Sequence, residues 1–148
     1  MLMADLTWSV VEEALLKALQ TELGSLVQTV ASYQGNWLQD LQHQARRLPA
    51  VLVRLRQTRG EQVSMGSSDL ILDFIVLVAV RPLRGEAEAR VQEGGIYQIL
   101  EGVRRALWHQ DLGLEITPFS LEKEEPWLYT RELAVYGAEY RTSLVKNF

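Results

Sequence analysis

The chain contains no cysteine. Disulfides, thiol nucleophiles and cysteine-ligated metal are therefore excluded together. Its 2 histidines, His43 and His109, stand far apart in the chain, so spacing sets up no histidine metal site. No metal and no cofactor is expected. No apolar run is long enough to span a bilayer: the longest, LILDFIVLVAV (residues 70–80), is about half the ~20 residues required and carries Asp73. The start, MLMADLTWSVVEEALL, lacks a basic segment and a small-residue cleavage signal. A soluble cytoplasmic chain with no membrane partner is the expectation. A concentrated basic block is also missing. Residues 1–60 hold six basic and five acidic side chains, residues 61–148 nine and fourteen, and the net charge is −4. A duplex-binding face is not expected on that balance. The one arginine-rich segment, with Arg46, Arg47, Arg54, Arg56 and Arg59, is modest.

The 148 residues, 47% of them apolar, suffice for one domain with a core, and residues 1–148 are read as that domain. Val11, Leu15, Leu19 and Leu23 recur on one side of a helix over 8–23, with Ser9 and Glu12 at capping-box spacing and Gly24 as its stop. SLVQTVASY reads as a short strand near 26–31. NWLQDLQHQARRLP is a second helix, capped by Asn36 and ended by Pro49. AVLVRLR is a strand, and QTRGEQVSMGSSD (57–69) a connector or long hairpin tip. LILDFIVLVAV, apolar on both faces, reads as a central strand, with RELAVYGAEYRTSLV (131–145) as its long partner. Between these two, EAEARVQ suggests a turn or two of helix, and GLEITPF a short edge strand that Pro118 keeps from the sheet centre. The expected class is α+β: a mainly antiparallel sheet of four to five strands packed with two to three helices.

Catalytic readings are weak throughout. GGIYQILEGVRRALWHQDLG (94–113) starts with two glycines ahead of a helical run, but Gly94, Gly95 and Gly102 fit neither the dinucleotide fingerprint nor the phosphate loop. Ile96, Ile99, Leu100, Val103 and Leu107 instead mark one buried stripe, with Gly102 explained by close approach of another element. His109 with Asp111 or Asp73 forms the alternative, a small enzyme of unknown reaction; no nucleophile accompanies them. Asp73 must lie at a face edge, be paired or sit at an interface, with Arg54 or Arg56 as neighbouring-strand partners. The serines of GSSD lack a strand–turn–helix setting. No catalytic residue is assigned. Contact features are stronger. Trp127 and Tyr129 follow the acidic run EKEEP, a setting that suits either an interface or aromatics folded back over the sheet. With Met65 in the 57–69 loop, and with Arg54, Arg56 and Asp73, they make up the candidate interface.

VEEALLKALQTELG, VASYQGNWLQDLQHQARRLPAVLV, VLVAVRPLRGEAEARV, GGIYQILEGVRRALWHQDLGL and ELAVYGAEYRT together cover most of the chain. YQG, RRLPAVLV, R-x-LRGEAEAR and GIYQILE-x-VR are the most specific of these motifs; 57–69 matches least. In this order they resemble the Mu-like prophage tail-region proteins of contractile-tailed phages. The resemblance implies a structural role in a phage tail and a place first in the bacterial cytoplasm, then in the virion tail. Its partners would be the tail tube or neighbouring tail proteins, and copies of itself in a homo-oligomeric ring. The family is in turn similar to tail terminators, which close as rings on the head-proximal end of the tube. A head–tail adaptor touching nucleic acid through the arginines remains an alternative.

Overall fold

The computed structural model describes residues 6–43, 47–82 and 95–147. It is α+β, with a five-stranded mixed sheet in the order β1-β2-β3-β5-β4. The strands are β1 (Thr29–Ser32), β2 (Ala50–Ser64), β3 (Ser67–Val80), β4 (Ser120–Tyr129) and β5 (Ala134–Asn147). The helices are α1 (Trp8–Leu23), α2 (Trp37–His43) and α3 (Ile96–Leu107). All described pairings are antiparallel except β1 with β2, which is parallel.

β3 is buried on both faces from Ile71 to Val80, as its unbroken apolar run requires of a central strand. On one face Val51, Val53, Leu72, Phe74, Val76, Val78, Ala138 and Tyr140 meet the apolar stripes of α1 and α3. On the other, Leu52, Ile75, Leu77, Ala79 and Val135 pack with Leu41 and Trp37 of the short α2. α1 and α3 approach closely at Gly102, where an added Cβ would lie 2.3 Å from Leu23 Cδ2. The close approach expected from that glycine is therefore present, and Leu23 of α1 is the neighbour. Arg105 Nε also reaches Glu22 Oε1 across the same contact, at 2.7 Å.

Several local expectations are corrected. The N-cap of α1 is Thr7, whose hydroxyl accepts from the Val10 amide; Ser9 is already inside the helix. β1 starts at Thr29, because the Leu26 and Val27 amides still bond to the Leu23 carbonyl. Of the two readings of residues 57–69, the long hairpin tip holds and the connector does not. These residues are the far halves of β2 and β3, joined by a tight turn at Met65 and Gly66, the latter at φ 82°. This part of the hairpin runs past the helices, so polar residues occupy both faces of β2 and imitate a loop. GLEITPF is not a strand: Leu112 and Gly113 take positive φ, and the Asp111 carboxylate caps the Gly113 amide. The true edge strand is β4, hidden in sequence by its glutamates and Pro126, the residues that blunt sheet edges. EAEARVQ and Gly94 lie outside the described residues.

Candidate interaction surface

The face of the sheet that carries α2 divides in two. Near α2 it is apolar. Trp127 of β4 meets Trp37 edge-on, with centroids 5.7 Å apart, and its indole packs against Gly137 of β5. A Cβ at position 137 would fall 2.5 Å from the indole, so glycine is what lets the ring settle there. Trp127 thus belongs to a strand rather than a charged loop, and it folds back over the sheet. Tyr129, at the end of β4, is left exposed. Beside Trp127 an apolar cleft of about 350 Å³ is lined chiefly by Leu38, Leu41, Leu48, Leu128 and Leu133.

Farther along, the same face becomes ionic. Arg54 and Arg56 do not reach Asp73. Arg54 Nη1 donates to the Gly35 carbonyl at 3.3 Å, and the guanidinium carbon Cζ lies 6.0 Å from the Tyr33 ring centroid. Arg56 Nη1 binds Glu139 Oε1 at 2.6 Å. With Trp37, Lys123, Glu125 and Trp127 they border a shallow cleft of about 420 Å³. Asp73 is 5% exposed and takes its partners from β5 and β2: Arg141 Nε at 2.7 Å and Gln57 Nε2 at 2.7 Å. The register explains the choice, since Asp73 stands opposite both Arg141 and Gln57, whereas Arg54 stands opposite Ile75. Arg141 also reaches Glu122 at 3.1 Å.

Burial pushes the Asp73 carboxyl up. The hydrogen bonds from Arg141 and Gln57, with the attraction of Arg141 and Arg59, together outweigh that effect and hold it below the ordinary aspartate value. A lowered native value means the carboxylate stabilises the fold above pH ~4, and the gain is lost as pH falls through the native value. Asp73→Asn is therefore expected to cost about 1–2 kcal/mol at neutral pH, the worth of charge-assisted hydrogen bonds moderated by the half-exposed Arg141. The gap should close in acid. Denaturant titrations of both proteins at pH 7 and pH 3 test this; an equal gap at both would refute the charge pairing.

The residues of the catalytic alternative are not brought together. His109 is exposed past the end of α3 at φ 66°, stacked on Trp108, and its backbone amide donates to the Phe119 carbonyl. The Asp111 carboxylate serves the turn, and Asp73 serves Arg141 and Gln57. Among the described residues no cluster of three or more His, Asp or Glu could hold a metal, and no helix is long and apolar enough to cross a membrane. Of the arginine segment, Arg46 and the His43 side chain lie outside the described residues, while the Arg47 carbonyl accepts from Thr29 Oγ1. Met65, at the tip of the β2–β3 turn, is 98% exposed. Two contact features escaped sequence reading. One is the far edge of β2, which β1 leaves unpaired beyond Val53. The other is the leucine cleft, whose lining comes from four separate segments.

The far half of the β2–β3 hairpin carries exposed polar side chains, with Met65 bare at its tip. The family model described as Bacteriophage Mu, Gp37 matches residues 7–145. The chain belongs to that family, and the membership supports a phage structural protein, a component of the virion that contacts other phage proteins. No curated protein matches the chain.

Proposed function

We propose that the chain, acting as one domain over residues 1–148, is a structural component of a contractile phage or prophage tail. The role is that of a tail terminator or completion protein, which closes as a ring on the tail tube. The observation that carries this reading is the long β2–β3 hairpin with Met65 at its tip, an apolar side chain left in solvent. Membership in a Mu phage family supports it, as does the resemblance to tail-region proteins. Tyr129, Arg54, Arg56 and the Trp127 cleft supply further contact area, with tail tube or neighbouring tail proteins as partners. Tails assembled with and without the protein, imaged by electron microscopy, test the role. Tubes of uncontrolled length in its absence are expected. Tubes of normal length would remove termination and leave another tail position.

A further inference from the structure

β1 pairs with β2 only from Ala50 to Val53, and the Tyr33 amide closes that edge on the Val53 carbonyl. From Arg54 to Ser64 the outer edge of β2 meets no other strand among the described residues. Its inner edge is fully engaged, opposite β3. An open strand of that length, free of proline, is a template for another strand. β4, the opposite edge of the sheet, is blunted by Pro126.

The order of residues on the open edge says what fits it. Between irregularities at Leu55/Gln57 and Gln62/Ser64 the pairing with β3 is regular, so this stretch is straightforward ladder. Arg59 stands opposite Ile71 and Glu61 opposite Asp69, which places both on the sheet face that carries Asp73. Both are exposed; Arg59 attracts the Asp73 carboxylate from a distance, and neither Arg59 nor Glu61 makes a salt bridge among the described residues. Gly60 lies between them, with nothing within 4 Å of where a Cβ would be. The stretch Thr58–Gln62 reads T-R-G-E-Q. Laid antiparallel on a copy of itself about Gly60, it sets Arg59 opposite Glu61 twice and Thr58 opposite Gln62 twice. Opposite charges directly across a strand pair stabilise it, and like charges there destabilise it. Shifting the register by one residue puts Arg59 opposite Gly60. Shifting it by two, towards the β2 N-terminus, sets Arg59 against itself.

We infer that the outer edge of β2 pairs with the same edge of a second copy of this chain, antiparallel and centred on Gly60, so that one sheet runs through both molecules. The contact is two-fold and closes on itself, so it makes a pair. It is distinct from the head-to-tail contacts of a ring and does not depend on the tail-capping role.

Sedimentation of the full chain over the micromolar range tests the pairing. A monomer–dimer equilibrium is expected. Arg59→Glu and Glu61→Arg should each weaken it about tenfold or more, because each places like charges opposite one another twice. The double variant, Arg59→Glu with Glu61→Arg, should restore it. Circular dichroism and the melting temperature check that each variant is folded. The absence of native cysteine allows a second readout: Gly60→Cys should join into dimers with a short bismaleimide, and Gln20→Cys on the exposed side of α1 should not. A chain monomeric throughout, a dimer indifferent to both single changes, or no recovery in the double variant would each overturn the inference. So would an edge that binds tube protein but never itself. Because the assay uses no tails, its failure leaves tail capping standing, and normal tail length without the protein leaves the pair standing.

Discussion

Phe74→Ala is expected to remove about 3–5 kcal/mol of stability, the cost of deleting a large buried side chain from a core that closes only partly around the gap. Phe74 has no exposed surface. It lies on the central strand β3, opposite Leu55 on one side and Tyr140 on the other, and meets Phe119 edge-on with centroids 6.2 Å apart. Phe119 belongs to the irregular segment between α3 and β4, and its amide bonds back to the Gln110 carbonyl. The cavity would therefore open between sheet, helices and this segment at once. Against a total stability of about 5–15 kcal/mol, such a loss is a large share. Urea unfolding should show a lower midpoint with an unchanged slope. A loss under about 1 kcal/mol would show instead that the Phe119 segment collapses into the space.

Gly102→Val should be the second most damaging change. Glycine in a helix costs about 1 kcal/mol relative to alanine, so adding a side chain at an open site would stabilise. Position 102 is not open. The new Cβ would sit 2.3 Å from Leu23 Cδ2, and Leu23 is itself fully buried at the end of α1. Valine adds a stiff branch in the same place, and overpacking of this kind costs about 1–3 kcal/mol, with α1 and α3 pushed apart. The effect should be coupled to Leu23. With Leu23→Ala the space exists, and Gly102→Val should then be nearly neutral. A double-mutant cycle measured by thermal or urea unfolding reads that coupling. Additive losses would mean that the contact does not limit the helix approach.

Periodicity in the sequence was sufficient wherever an element has one buried side. The bounds of α1, its stripe from Val11 to Leu23, the stripe of α3 and the two-sided burial of β3 were all legible, because apolar spacing records which side meets the core. The far half of β2 and the whole of β4 were not. Both lie where the sheet has no deep core to bury a face against, so their alternation fades into polar residues that resemble loops. The partner of Asp73 was misjudged for another reason. Pairing across strands depends on register: Arg54 stands opposite Ile75, and the irregularity at Leu55/Gln57 takes Arg56 out of the place opposite Asp73 and sets Gln57 there. Candidate contact residues were legible as types only. Trp127 and Tyr129 are two residues apart, yet one rests on Gly137 and the other is left in solvent, a difference set by a glycine on a neighbouring strand.

The strand order has a consequence for synthesis. β5 lies between β3 and β4, although it comes after both in the chain. Until residues 134–147 have left the ribosome, β3 has one flank without a partner and β4 has none at all. The helices and the β2–β3 hairpin can form early from local contacts, but the sheet cannot close around them. Interruption of translation before β5 would leave an apolar strand flank bare, prone to aggregation. Completion of β5 is thus the step that turns a sticky nascent chain into a particle part fit for assembly.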